Sequence, residues 1–319
     1  MRIALVDVDN WGKLQSCFPN IPLMKLAAYH KNAGDSVEWY DPTKHYDIAY
    51  ISKVFSFTKE PFDFYNADRI IRGGSGYAII LENGHEYYHK ENDMCLDSYV
   101  EHIYPDYSIY NITDTAYGFM SRGCPRGCNF CHVKDKEGLE SIKVADLAEF
   151  YDGQKNINLC DPNTFACKDW KDILRQLSDS GANVDFNQGV DIRLMNEEKI
   201  KALLKCKTKS IHFAWDRYQD KEIITRKLRQ FKEITNWKRN KVSVYILTNF
   251  DTTLKQDIER VEFCKSLDFN PYIMRYDKEH IKRGSRINAL ARYCNNKMIF
   301  WKCKSFEQYE KDKLQGLWR

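Results

Sequence analysis

The pattern of apolar and polar residues predicts several strands and one helix near the start of the chain. Strands are expected at residues 2–8, 36–40 and 46–54, and a fourth ends at Ile71 before a glycine-rich turn. Between the first two strands, Pro22 opens a helical pattern that stops at Gly34. This order of strand, helix and strand predicts a Rossmann-like doubly wound sheet.

Beyond residue 116, apolar runs of strand length alternate with helical patterns, whereas the polar, tyrosine-rich residues 77–115 are interpreted as a connector. The predicted strands are 117–121, 157–160, 184–187, 210–215, 242–249 and 271–275. The predicted helices are 144–150, 170–177, 197–204, 221–231 and 254–267. Each unit spans roughly 27 residues, enough for a strand and its crossover helix.

These patterns predict an α/β fold in which a partial (β/α)6 barrel follows a truncated Rossmann-like domain. A complete eight-fold barrel needs about 250 residues, more than remain after residue 116. We expect residues 1–110 to form the Rossmann-like domain with its connector and residues 111–280 to form the barrel. A basic C-terminal tail, residues 281–319, is expected to pack on the barrel, either over its mouth or as a helix that closes its bottom.

Composition and charge favour a soluble enzyme. Hydrophobic residues make up 43% of the chain and charged residues 29%, both ordinary globular values. No apolar run approaches the ~18 residues that span a bilayer, so no membrane association is expected. Residues 227–319 hold 21 Lys and Arg against 11 Asp and Glu, which favours an anionic substrate. The alternative is an ordinary solvated surface, because no five basic residues occur in a row.

Three cysteines in one short run carry the clearest chemical signal. Cys124, Cys128 and Cys131 follow the spacing Cys-x3-Cys-x2-Cys. Three thiolates on one loop can hold three irons of a [4Fe–4S] cluster and leave the fourth iron open. Alternatives are a structural zinc site, which would want a second cysteine pair, a c-type haem at Cys128-x-x-Cys131-His132, and a redox dithiol that leaves Cys124 unexplained.

The other eight cysteines are scattered along the chain and do not resemble a disulfide framework. We expect them to be reduced, buried small hydrophobes, which favours the cytoplasm. They are Cys17, Cys95, Cys160, Cys167, Cys206, Cys264, Cys294 and Cys303.

The cysteine run, preceded by Gly118-Phe119-Met120-Ser121-Arg122-Gly123, resembles the motif of the radical S-adenosylmethionine (SAM) superfamily. The resemblance implies an enzyme whose cluster binds SAM and cleaves it to methionine and a 5′-deoxyadenosyl radical. It also implies an external electron donor of flavodoxin or ferredoxin type. Phe130, the aromatic residue directly before Cys131, is assigned to the cofactor site.

The longer string is similar to a branch of that superfamily with a cobalamin-binding-like domain ahead of the barrel. The first 110 residues resemble only the front half of such a domain. Because the Asp-x-His-x-x-Gly cobalamin motif is absent, we expect a vestigial docking domain without tightly bound cobalamin.

Polar residues after the predicted barrel strands form the candidate SAM pocket, since barrel chemistry sits at the carboxyl ends of strands. The resemblance implies that these residues contact the SAM amino group, carboxylate, ribose and adenine. They are Asp161, Asn163, Gln188, Arg193, Asp216, Asn249 and Met274. Several have structural alternatives: Asp161 and Asn163 as caps of the helix at Trp170, and Arg193 as a surface partner of Asp191. Asp251 or Thr252 is expected to cap the next helix.

Three functions remain open at this point. The first is a radical SAM enzyme that acts by hydrogen abstraction or radical group transfer. The second is a cobalamin-dependent radical SAM methyltransferase or a methylthiotransferase. The third is a non-enzymatic iron–sulfur redox sensor or nucleic-acid-binding protein. The sequence does not indicate the substrate.

Overall fold

The computed structural model describes residues 1–13, 18–82 and 85–318, and it is a mixed α/β structure. The strands are β1 (Arg2–Asp7), β2 (Ser36–Trp39), β3 (Tyr46–Ser52), β4 (Ala67–Gly73), β5 (Ile79–Glu82), β6 (His85–Tyr88), β7 (Thr115–Gly118), β8 (Ser121–Arg122), β9 (Ile142–Lys143), β10 (Asn156–Leu159), β11 (Asn183–Val190), β12 (Thr208–Ala214), β13 (Val242–Thr248) and β14 (Asn270–Arg275). The α-helices are α1 (Ile21–Asn32), α2 (Ser75–Ala78), α3 (Ser98–Glu101), α4 (Val133–Lys136), α5 (Trp170–Asp179), α6 (Glu197–Leu203), α7 (Lys221–Thr235), α8 (Leu254–Ser266), α9 (Arg286–Asn295), α10 (Lys297–Lys302) and α11 (Phe306–Leu314). Short 3₁₀ turns occur at Lys90–Asn92, Tyr107–Tyr110, Leu147–Glu149, Thr164–Ala166, Ile192–Leu194, Tyr218–Asp220 and Lys278–His280.

The chain divides into two compact units. The first comprises Met1–Glu140 and Val144–Asn158, and the second comprises Ser141–Lys143 and Leu159–Arg319. Among the described residues, six strands form a parallel sheet in the order β14-β13-β12-β11-β10-β7. The predicted α/β class is therefore confirmed, whereas closure into a partial barrel and the domain bounds at 110 and 280 stay predictions.

A separate parallel sheet, in the order β2-β1-β3-β4, forms the core of the first unit. Helix α1 packs on one face, where Leu23 and Ala27 contact Ile3 and Leu5. The helix begins where predicted because Asn20 accepts a hydrogen bond from the Leu23 amide, with Pro22 in the first turn. On the other face the apolar core includes the aromatic side chains Tyr40, Tyr46 and Tyr65, with Trp11 and Phe62 packed against them.

The expected connector, 77–115, contains defined structure. β5 and β6 form an antiparallel hairpin, and short helical turns follow. Two tyrosine hydroxyls tie this segment to the unit: Tyr107 donates to the Phe150 carbonyl at 2.7 Å, and Tyr110 donates to the Asp7 carboxylate at 2.6 Å. Burial raises the pKa of Asp7, although the hydrogen bonds from Tyr110 and Asn10 partly oppose that rise.

In the second unit, β11 to β14 run parallel, and the register between β11 and β12 shifts twice, between Val184 and Asp185 and between Phe186 and Gly189. Phe186, Phe213, Val244 and Ile273 are buried. Helix α5 precedes β11, and α6, α7 and α8 separate the four strands, as predicted. The predicted helix at 144–150 was wrong. Only a 3₁₀ turn forms, at Leu147–Glu149, and a capping box between Asp146 and Glu149 closes it.

The C-terminal segment folds into helices α9, α10 and α11. Helix α9 packs against the edge strand β14, where Asn295 bonds both backbone groups of Ile273, at 2.8 Å to the nitrogen and 3.1 Å to the oxygen. This side chain satisfies the backbone groups of one residue on an edge strand, where such groups would otherwise be open to pairing with another strand. In the described parts of the chain, no helix has the length and apolar character needed to cross a membrane.

Candidate functional site

The three motif cysteines lie in one loop of the first unit, between β8 and α4. Cys124, Cys128 and Cys131 are all half-buried. Six of the other cysteines are buried as predicted: Cys160, Cys167, Cys206, Cys264, Cys294 and Cys303. Cys95 is exposed, so the prediction was wrong there, and Cys17 lies outside the described residues.

Burial makes the thiols of the buried cysteines less acidic. It raises the pKa of Cys206 to about 11, and it raises the pKa of Cys294 as well. Such thiols stay protonated and unreactive near neutral pH. The motif thiols are more accessible, as a metal-binding or redox role requires.

Gly123 fixes the start of the cysteine loop. Its φ of +86° lies in the left-handed region, and a Cβ at this position would come within 2.0 Å of the Glu140 carbonyl oxygen. The Gly123 amide donates to the Glu137 carboxylate at 3.0 Å, and the Cys124 amide donates to the Gly138 carbonyl at 3.1 Å. The first cysteine is thus held against residues 137–140, and the contact leaves no room for a side chain.

Arg122 and Glu137 form a further contact at the start of the cysteine loop. The guanidinium donates to the Glu137 carboxylate at 3.0 Å and lies over the Phe119 ring, 3.9 Å from its centroid. The Glu137 carboxylate therefore accepts hydrogen bonds from both the Arg122 side chain and the Gly123 amide. The cysteine motif gives no indication of this carboxylate, because Glu137 lies outside it.

The donor set fits an iron–sulfur cluster in kind, since it supplies three partly accessible thiols from one loop. Within the described residues, however, no three His, Cys, Asp or Glu side chains are grouped as metal ligands. Cys124, Cys128 and Cys131 are the residues that would hold a cluster in this loop. Phe130 lies in the same loop and is half-buried.

The second unit contains the other seven predicted site residues. Asp161 and Asn163 follow β10 and are almost completely buried, at 4% and 2% exposure. The Thr164 hydroxyl donates to Asp161 at 3.3 Å, and the Asn163 carbonyl accepts from Ser141 at 3.3 Å. The alternative role as caps of the helix at Trp170 was wrong, because Asp169 occupies that N-cap.

Gln188 and Arg193 lie at the end of β11 in different environments. Gln188 is exposed, at an irregularity where the register with β12 shifts between Phe186 and Gly189. Arg193 is mostly buried between two carboxylates: its Nε donates to Asp191 at 2.7 Å, and its Nη1 pairs with Asp220. The alternative pairing with Asp191 is present, but Asp191 is buried and is not a surface residue.

Asp216, Asn249 and Met274 follow or end β12, β13 and β14. Asn249 is exposed with φ +64°, and its amide nitrogen donates to the Tyr276 carbonyl at 3.0 Å, which ties the ends of two neighbouring strands. Met274 is 45% exposed. The expected cap at Asp251 or Thr252 was wrong, because Thr253 caps α8 by accepting from the Gln256 amide.

Sequence reasoning also missed a row of polar and aromatic side chains across β11 to β14. His212 lies 3.6 Å from Asp185 and stacks on Tyr245, and Tyr245 meets the half-exposed Tyr272 edge-on. Burial alone would raise the pKa of Asp185, but His212 and Ser210 outweigh it and lower that pKa. Alternation of polar and buried residues in β11 and β12 was the available signal, because strands covered on both faces are more continuously apolar.

No model of a known protein family matches the chain, and a search of curated proteins finds no match either.

Proposed function

We propose that this chain is a radical SAM enzyme in which Cys124, Cys128 and Cys131 hold a [4Fe–4S] cluster. The spacing of these cysteines is the observation that carries the proposal. Their partial exposure, in contrast to six buried cysteines, supports it. When bound, the cluster would supply the electron that cleaves SAM.

The role of the chain itself is to present the thiols and to bind SAM. Gly123 and Glu137 hold the start of the loop so that Cys124 is presented next to the 137–140 segment. In the second unit, polar side chains at the carboxyl ends of parallel strands support a SAM pocket, since ligands bind at that edge of such sheets. Arg193 is oriented by Asp191 and Asp220, and its guanidinium would meet the SAM carboxylate.

The finer features are part of the same proposal. The six parallel strands would form a partial (β/α)6 barrel after a truncated Rossmann-like domain. The enzyme would act in the cytoplasm with a small external electron donor of flavodoxin or ferredoxin type. It would use hydrogen abstraction or radical group transfer, without tightly bound cobalamin.

Slow SAM cleavage tests this proposal without knowledge of the substrate. Protein reconstituted anaerobically with iron and sulfide, then given reductant and SAM, is expected to release 5′-deoxyadenosine and methionine. The same protein with Cys131→Ala is expected to release neither above background. Chromatography with mass detection measures both products. A fully reconstituted, reduced protein that makes no 5′-deoxyadenosine would favour the redox-sensor alternative.

Single alanine variants of Gln188, Arg193, Asp216 and Asn249 test the pocket. Each is expected to weaken SAM binding, by about ten- to a hundredfold where a charge-assisted hydrogen bond is lost, because such a bond is worth roughly 1.5–3 kcal/mol. Equilibrium binding gives the affinity, and iron content is expected to stay unchanged. Asn183→Ala, at the opposite end of β11 from Gln188, is the matched control. Normal SAM binding by all four variants would show that the pocket is assigned to the wrong residues.

A further inference from the structure

Arg260 is a fully buried charge in the second unit. It lies on α8 with 0% exposure, and its neighbour on the same helix face, Asp257, has 1%. The two side chains form an ion pair, and the Thr252 hydroxyl donates to the same carboxylate at 2.7 Å. A buried guanidinium is costly unless its charge is paired, and here Asp257 pairs it. The hydrogen bonds come from the two terminal nitrogens of Arg260, whereas its Nε has no hydrogen-bond partner among the described residues.

Most of the Arg260 contacts are to backbone oxygens at the ends of two strands. It donates to the carbonyl of Trp215 at 2.6 Å and to that of Asp216 at 3.3 Å, both just after β12. It also donates to the Leu247 carbonyl at 2.8 Å, near the end of β13. One side chain therefore links the segments that lead into the loops of Asp216 and Asn249.

The guanidinium suits this task because its donors have a fixed planar arrangement. An apolar side chain of similar volume would fill the same space without fixing the two segments. Arg260 has no exposed surface, so it would act on a ligand only through the loops it holds.

We propose that Arg260 is a positioning residue that sets the loops of Asp216 and Asn249 for SAM binding. This inference rests on the proposed function, since it takes SAM as the ligand. Thr252 and Asp257 act together with Arg260. Thr252 lies in the loop of Asn249, where its hydroxyl donates to Asp257 and accepts from Arg260.

Lys265 provides a matched control on the same helix. Its ammonium group donates to the carbonyls of Phe300 at 2.7 Å and Cys303 at 2.6 Å, and to the Tyr293 hydroxyl at 2.8 Å. Like Arg260 it is a basic residue of α8 that binds backbone oxygens. Its contacts are with the C-terminal helices and not with the strand-end loops.

The experiment compares Arg260→Met, Arg260→Lys, Thr252→Val and Lys265→Met in reconstituted protein. Three quantities are measured: the melting temperature, the SAM dissociation constant, and amide hydrogen exchange in residues 215–220 and 248–253. Arg260→Met is expected to weaken SAM binding at least tenfold and to speed exchange in both loops. Arg260→Lys is expected to restore part of the affinity, and Thr252→Val to loosen mainly the second loop. Lys265→Met is expected to lower the melting temperature with SAM affinity unchanged.

Several outcomes would overturn the inference. One is wild-type SAM affinity in Arg260→Met. Another is an equal loss of affinity in Lys265→Met, which would indicate general destabilisation. If Arg260→Met does not fold, wild-type SAM affinity in both Arg260→Lys and Thr252→Val would count against the inference in the same way. If wild-type protein with a full cluster binds no SAM, the proposed function itself fails and this inference fails with it. SAM binding by wild-type protein therefore distinguishes a failure of this inference from a failure of the proposed function.

Discussion

A variant with Cys124, Cys128 and Cys131 all changed to Ala is expected to take up almost no iron. After anaerobic reconstitution, wild-type protein should hold about four irons and four sulfides per chain. The variant removes every thiolate of the proposed ligand set. We expect the broad visible absorption of the cluster to be lost with the iron, and both are measured on the same samples.

The control for this experiment is Cys95→Ala, which removes an exposed thiol outside the motif. It should keep the full iron content, because nonspecific iron–sulfide deposition on exposed thiols would be the only reason for it to fall. The melting temperatures of both variants should stay close to that of wild type when measured without iron, since the loop thiols are not core residues. Full iron retention by the triple variant would falsify the cluster assignment.

A Gly123→Ala variant is expected to lose most of its iron although every cysteine is intact. The new Cβ would lie 2.0 Å from the Glu140 carbonyl oxygen, and no flexible side chain is there to move aside. The residue would also be strained at φ +86°, at about 1–3 kcal/mol. The backbone must therefore shift, and the shift moves Cys124, whose amide is bonded to Gly138. Iron content and cluster absorption after reconstitution are the measurements.

Gly138→Ala is the matched control for the glycine. Gly138 has a similar φ of +94°, but nothing lies within 4 Å of the position of its Cβ. This variant carries the backbone strain without the collision, so we expect a modest drop in melting temperature and near-normal iron content. Equal iron loss in the two variants would mean that strain alone, and not the contact with Glu140, disturbs the loop.

Local sequence pattern was sufficient for most of the secondary structure. The strands near 184, 210, 242 and 271 and the helices that begin at Trp170, Glu197, Lys221 and Leu254 lie within a few residues of their predicted positions. Their apolar faces are long enough to show the period of a strand or a helix. At 144–150 the pattern predicted a helix that does not form. The chain makes only a 3₁₀ turn at Leu147–Glu149, closed by a capping box between Asp146 and Glu149.

The roles of polar residues were less predictable. Sequence position placed Arg193 after β11, but only the fold brings Asp220 to it from 27 residues away. Asn249 was predicted as a ligand residue, and that role stays a prediction. The structure shows its side chain joining two strand ends through the Tyr276 carbonyl. A side chain's partner depends on packing between elements, which the local pattern does not contain.

The sequence by itself determined the α/β class, the order of most elements and the three-cysteine motif, because these depend on residue type and spacing along the chain. Only the tertiary structure decided which thiols are accessible, which glycine has no room for a side chain, and which charge is buried beneath the strand ends. Gly123 meets Glu140 and Arg260 meets Trp215 through contacts between separate segments. Exposure, steric room and charge pairing are properties of such contacts, and they arise only when the chain folds.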